Sequence, residues 1–201
     1  MNVVIIFIIR IMCYTKIYIY FLEKRYYKTM SEQVKKALAK YPEHPLPYWD
    51  EFPNFEVYMD QLVNIGNRYL QNFTDTELTR SMINSYVKKN IMEKPLKKKY
   101  NASHIAEILV ISLLKSIYPL EVIKIGINEA LQVSSIEEAY NEFAELFNQT
   151  FANVKNGQDE FKLNHNDSLM KSTELFAIHA VIYRLISQKL IIIHQENTKK
   201  D

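Results

Sequence analysis

The sequence predicts an all-α protein whose centre is a winged helix-turn-helix, with a small β-wing and a C-terminal helical hairpin. Apolar residues recur at helical spacing through most of the 201 residues. Only three glycines are present, which disfavours a turn-dense β fold and a glycine-rich phosphate loop. Residues 97–100 form the one segment that reads as strand. Helices should therefore dominate the fold.

The composition limits the classes of function. With 48% apolar residues the chain can bury a core, and its single cysteine excludes a disulfide framework and a thiolate metal cluster. The five histidines are scattered, with no HExxH and no paired-carboxylate spacing. We therefore expect that the protein is not an enzyme and has no catalytic residues, metal-binding residues or cofactor. We also expect a cytoplasmic location.

Residues 1–29 form an apolar N-terminal extension. Seventeen of the twenty residues from 3 to 22 are apolar, which is long enough to cross a bilayer. Inserting Arg10 and Lys16 into a membrane costs roughly 5 to 7 kcal/mol, which is about the free energy that insertion of the apolar residues of this run gains. Three interpretations stay open: a start-site artefact with translation beginning at Met30, a membrane anchor, or a structural N-terminal element. We expect contact with a membrane only if this extension is real.

The next elements are predicted from proline positions and apolar spacing. Residues 30–54 should form a short helix, over 31–40, and a proline-rich arm packed on the core. The apolar anchors of that arm are Leu46, Tyr48, Trp49 and Phe52. A helix over residues 55–73 and a polar turn over 74–78 follow.

Residues 79–104 hold the strongest functional signal. Thr79 can cap a helix that runs to Lys89 and ends at Asn90, a residue that tolerates a left-handed backbone. Pro95 then breaks the chain before the wing at residues 97–100. This segment carries a charge of +6, whereas the whole chain carries +2. A positive island on a nearly neutral chain indicates a polyanionic partner.

Helices predicted over residues 103–117 and 119–131 complete a winged helix-turn-helix domain over residues 55–131. Residues 132–201 should then form a helical region for dimerisation or effector sensing, with helices over 135–154 and 168–195 and a polar loop between them. The last helix has an apolar face that we expect to exceed what the small domain can cover, which predicts a homodimer. That face carries Leu175, Ile178, Ile182, Leu185, Ile186 and Leu190.

The residue types in the basic segment predict double-stranded DNA as the partner. Asn84 and Arg80 suit adenine and guanine edges in the major groove, and a lysine-rich wing can neutralise phosphates. The candidate contacts drawn from the helix face and the wing are Arg80, Ser81, Asn84, Ser85, Lys88, Lys89, Lys97, Lys98 and Lys99.

The same segment resembles the winged helix-turn-helix of MerR-type regulators. The resemblance rests on Tyr-Val-Lys-Lys-Asn-Ile-Met at residues 86–92, on Pro95 and Tyr100, and on Pro-Leu-Glu-Val-Ile at 119–123. It implies a dimeric regulator in which Tyr86 touches the DNA backbone and Tyr100 belongs to the DNA-binding wing. The chain departs from the family pattern where Asn84 replaces an arginine, Val87 a glutamate and Asn90 a glycine, which affects base specificity more than fold.

The chain also resembles domain-of-unknown-function family 1836, over about residues 45–190. The shared motifs, in order, start at Pro47 (PYWDEFP), Tyr58 (YMDQ), Leu78 (LTRSMINSYVK) and Lys97 (KKKYN). The resemblance implies a cytoplasmic protein suspected of binding DNA, with an unknown effector. The alternative is a helical protein-interaction or scaffold module whose lysines face water or bind an acidic partner. In a second alternative, residues 3–22 tether the protein to a membrane.

Overall fold

The computed structural model describes residues 32, 35, 36, 38, 39, 41, 42, 45–158, 161 and 167–199. The predictions for residues 1–29, for half of the 31–40 helix and for residues 159, 160 and 162–166 of the predicted polar loop lie outside these described residues. The elements are a 3-10 helix at Trp49–Glu51, strands β1 (Val57–Tyr58) and β2 (Lys99–Tyr100), and helices α1 (Met59–Leu70), α2 (Arg80–Lys88), α3 (Ala102–Leu114), α4 (Leu120–Ala130), α5 (Ile136–Asn156) and α6 (Leu169–Thr198).

The described chain is predominantly helical, which confirms the predicted all-α class. The helix expected over residues 55–73 spans Met59–Leu70, so its start was predicted four residues too early and its end three residues too late. The two residues before it, Val57 and Tyr58, are extended and pair antiparallel with Tyr100 and Lys99. Apolar spacing alone does not reveal a two-residue strand whose hydrogen-bonding partner lies some forty residues later in the chain.

Helix α3 lies at the centre of the fold and packs against α1, α4, α5 and α6. Ile105, Ile108, Leu109 and Ile111 of this helix are all essentially inaccessible to solvent. The approach of α1 is close at Gly66, where an added Cβ would lie 2.7 Å from Leu78 Cδ2 and 2.9 Å from Ile108 Cδ1. Glycine at this position therefore sets how near α1 comes to the central helix.

The proline-rich arm is bound to α5. The backbone amide of Leu46 donates to Asn148 Oδ1, and Asn148 Nδ2 donates to the Leu46 carbonyl, both at 2.9 Å. The Tyr140 hydroxyl donates to the Pro47 carbonyl at 2.8 Å. Leu46 and Phe52 are buried in the core, with Tyr48 and Trp49 packed against it, so the predicted anchors are confirmed.

Helix α5 has clear end signals. Ser135 caps its start in a reciprocal arrangement with Glu138, and Gly157, with φ 69°, terminates it. Buried side chains of α5 and α6 belong to the same hydrophobic cluster as those of α1–α3. The described regions on either side of residue 132 thus share one core.

The apolar face of α6 that we expected to exceed the capacity of the domain is covered within the monomer. Ile178, Ile182, Leu185 and Ile186 are buried, because α6 packs on both α5 and α3. The remaining two residues of that face, Leu175 and Leu190, are half-buried, and the oligomeric state stays a prediction. A different face is apolar and exposed, and it carries Leu169, Phe176, Tyr183 and Ile191.

By length and composition, Leu169–Glu196 of α6 would also suffice to cross a membrane. The core helix of a soluble protein passes the same test, and part of this helix is packed inside the fold. The cytoplasmic location therefore stays a prediction.

Candidate nucleic-acid interface

Helix α2 forms because both of its ends are satisfied locally. The Thr79 side chain accepts a hydrogen bond from the Met82 amide at 3.2 Å, which confirms the predicted cap. At the other end Lys89 donates its amide to the Ser85 carbonyl, and Asn90 takes a left-handed φ of 52°. Ile83 and Tyr86 face the core.

The opposite face of α2 is polar and open to solvent. Arg80, Ser81, Asn84 and Lys88 are exposed, and Ser85 is half-buried. These five side chains share one helix face, as their spacing predicted. The face offers short hydrogen-bonding groups between two long cations.

The tip of the wing is a two-residue hairpin turn between Leu96 and Lys99. Lys97 and Lys98 both have left-handed backbones, with φ of 50° and 65°. The Lys99 amide donates to the Leu96 carbonyl at 2.9 Å and closes the turn. Positive φ at both central positions defines the primed turn that matches strand twist, a turn that normally favours Asn-Gly. Two lysines there hold a less favourable conformation and project two positive charges from the tip.

The short sheet orients the rest of the wing. Val57 and Tyr100 pair on its inner face and are buried. Tyr58 and Lys99 pair on the outer face, where Tyr58 is exposed and Lys99 half-buried. Leu96, which bridges to Lys99, is exposed beside them. The outer face of the wing is consequently a mixture of lysine, tyrosine and leucine.

Two of the predicted contact residues lie beneath this surface. Tyr86 is 3% exposed and Tyr100 4% exposed, so neither ring is open to a partner. Burial raises the pKa of both hydroxyls. The Tyr86 hydroxyl accepts from Lys115 Nζ at 3.4 Å, and the Tyr100 ring packs edge-on to His104. Both tyrosines support the surface from below.

A buried carboxylate ties the wing to α3. Both oxygens of Glu107 accept from the Glu93 backbone amide at 3.1 Å. Burial is the main cause that raises the pKa of Glu107 to about 7. One turn earlier on α3, burial lowers the pKa of His104. The segment leading into the wing thus rests on two titratable groups with opposite shifts.

Acidic residues neutralise part of the positive island. Arg80 pairs with Asp60, Lys99 with Glu56 at 3.0 Å, and Lys89 with Glu121 at 3.7 Å. In the part of the chain that the structure describes, four cations of the island form no ion pair. They are Lys88, Lys94, Lys97 and Lys98.

The candidate residues fall into two groups. Arg80 contacts Asp60 at the start of α1. Asp60 lies two residues after Tyr58, the β1 residue that pairs with Lys99 of the wing. Arg80 and the wing therefore lie at the same edge of the domain. Lys88 and Lys89 lie at the far end of α2, about 12 Å along the helix axis. There Lys124 Nζ of α4 donates to the Lys89 carbonyl at 3.4 Å. The surface is therefore a strip that runs from the wing along α2 to α4.

Sequence reasoning did not find Glu56, Asp60, Glu107 or Glu121. The acids that pair with the basic residues are distant in sequence, and no local pattern couples them to the lysines. Glu107 sits inside a strongly apolar helix, and such a buried charge usually has a partner. That observation was the one available signal.

Comparison with known proteins identifies one region. Residues 47–143 match the model of a domain of unknown function, DUF1836. This confirms the resemblance over a shorter span than expected, just under half of the chain. The matched residues include β1, α1, α2, the wing, α3 and α4, and hence every residue of the basic strip. No curated protein and no solved structure matches the chain.

Proposed function

We propose that this protein binds double-stranded DNA through α2 and the wing and acts as a cytoplasmic transcriptional regulator without catalytic activity. The observation that supports the proposal most is the pair of ion-pair-free lysines, Lys97 and Lys98, held in a left-handed turn beside the polar face of α2. A more stable turn would carry Asn-Gly there. Strained backbone of this kind tends to occur where function requires a particular side chain.

The order of the elements supports a MerR-like winged helix-turn-helix as the form of the domain. Strand β1 leads directly into α1, α2 follows, and β2 returns to pair with β1 before α3. In this proposal α2 enters the major groove with Arg80 and Asn84 toward base edges. Lys97 and Lys98 contact phosphates and set the register, whereas Lys99 is paired with Glu56.

A homodimer belongs to the proposal, because winged modules usually read two half-sites. Leu169, Phe176 and Tyr183 recur every seven residues on the exposed face of α6. An exposed row of apolar side chains can pack against the same row of a second copy. Light scattering tests it: we expect twice the monomer mass, and a monomer after Phe176→Lys. A monomeric parent would leave DNA binding in place and remove the dimer.

The test of DNA binding uses a substitution that preserves the turn. Lys97→Asn with Lys98→Gly retains the hairpin and removes two charges, so we expect weaker binding to every duplex and a salt slope lower by about 2. The matched control, Lys171→Gln with Lys199→Gln, removes the same charge from exposed positions on and just beyond α6. If both double variants keep the affinity and salt dependence of the parent, the basic strip does not bind DNA.

The alternative is a protein-interaction module, and one observation favours it. Phe55, Tyr58 and Leu96 are 62%, 59% and 70% exposed on or next to the wing, which is unusual for a purely phosphate-binding surface. In that case the partner is an acidic protein. Binding of random duplex DNA would then be weak, and Leu96→Ser would reduce partner binding more than loss of Lys97 would.

A further inference from the structure

The ion pair between Arg80 and Asp60 joins the first turns of α1 and α2. Arg80 is the first residue of α2 and Asp60 the second residue of α1. The contact is made by Arg80 Nη2 and Asp60 Oδ1, and both side chains remain more than half exposed, at 66% and 61%. The pair thus lies on the outer surface at the end of α2 nearest the wing.

This contact uses only part of the guanidinium. Arginine presents five N–H donors in a rigid planar fork, and a contact from one nitrogen leaves the remaining donors open to solvent. The carboxylate fixes the direction of a long side chain that would otherwise sample many rotamers. It also places a negative charge beside Arg80, which disfavours a phosphate at that point. A base edge, which carries no net charge, is not repelled in this way.

We propose that Asp60 is a positioning residue that directs Arg80 toward a base edge and away from phosphates. The proposal rests on the DNA-binding function proposed above and adds a determinant of sequence preference to it. Asp60 acts through Arg80 and need not touch the nucleic acid.

The test measures preference as well as affinity. The probes are a random-sequence duplex pool and a duplex enriched from that pool by the parent protein. Asp60→Asn should raise affinity for the random pool by about twofold to fivefold, because one competing charge is lost. It should lower the preference for the enriched duplex roughly threefold to tenfold, since Arg80 is no longer directed. Asp60→Glu keeps the carboxylate and should retain most of the preference.

A double-mutant cycle separates positioning from general charge. In an Arg80→Ala background, Asp60→Asn should change the preference less than about twofold, because the arginine through which Asp60 acts is absent. Glu137→Gln, an equal charge change at an exposed position of α5, should leave the preference unchanged in the parent background. Equal gains on both probes after Asp60→Asn would overturn the positioning role while DNA binding stands. If the parent enriches no duplex and shows no salt-dependent binding, the proposed function itself fails.

Discussion

Helix α2 and the wing carry the same kind of charge but are held in opposite ways. Helix α2 is capped at its start by Thr79, is followed by the left-handed Asn90 two residues after its end at Lys88, and buries Ile83 and Tyr86 in the core. The wing has a left-handed turn at Lys97 and Lys98 and depends on pairing with β1 and on Glu107 of α3. The helix therefore follows from its own sequence, whereas the wing is imposed by its neighbours.

The largest expected effect tests the anchoring of α2. Ile83 is 0% exposed, so Ile83→Ala should lower the free energy of unfolding by about 2 to 5 kcal/mol through lost burial and a residual cavity. Denaturant unfolding measures this, with exposed Ser81→Ala as the control, expected within about 0.5 kcal/mol of the parent. A cost below about 1 kcal/mol would mean that α2 is not anchored as described.

The base of the wing should make stability depend on pH. Folded Glu107 keeps its proton up to about pH 7, whereas the ordinary carboxyl loses it near 4.5. The contribution of Glu107 to the free energy of unfolding is therefore complete below pH 4.5 and is lost as pH rises through about 7. The total loss should be roughly 2 to 4 kcal/mol. Glu107→Gln should consequently be more stable than the parent at pH 8 and similar to it at pH 5. Identical curves for parent and variant would show that Glu107 is not buried in solution.

His104 gives the opposite sign. Burial lowers its pKa below the ordinary 6.5, so its contribution is full above 6.5 and is lost as pH falls. Burial also raises the pKa of Glu174 on α6 to about 7, so that residue must be replaced together with Glu107 before the opposing trend can be seen. In a Glu107→Gln, Glu174→Gln variant, unfolding curves between pH 5 and pH 8 should show stability rising with pH, and adding His104→Gln should remove most of that slope.

The difference between the two regions also explains what the sequence could predict. Thr79, Asn90, Pro119 and Ser135 are local end signals, and the helices they delimit were predicted to within a few residues. The start of α1 was missed because β1 exists only through its pairing with β2. The exposed face of α2 follows from helical spacing. The acids that neutralise Arg80, Lys89 and Lys99 could not be predicted, since each contact depends on tertiary packing.

A smaller effect should follow from the cap. Thr79→Ala removes the acceptor for the Met82 amide and should cost about 1 kcal/mol. Thr79→Ser keeps the acceptor and should stay within about 0.5 kcal/mol of the parent. Thermal unfolding of the two variants resolves the difference. Equal losses in both would point to the methyl group of Thr79 and not to its oxygen.

The smallest effects should differ in sign between the two regions. Lys98 has φ 65°, a backbone that costs a residue with Cβ about 1 to 2 kcal/mol relative to glycine. Glycine has more freedom in the unfolded chain, which offsets roughly half of that gain. Lys98→Gly should therefore stabilise the protein by about 0.5 to 1 kcal/mol.

The same replacement on α2 should destabilise it. Lys88 is exposed on the last turn of the helix, where glycine costs up to about 1 kcal/mol in helix propensity. Paired measurements of Lys98→Gly and Lys88→Gly by denaturant unfolding share the loss of one charge and one side chain, so their difference isolates the backbone. If both variants were less stable than the parent, the wing turn would not be left-handed in solution. The contrast between a helix set by its own sequence and a wing set by its neighbours would then not hold.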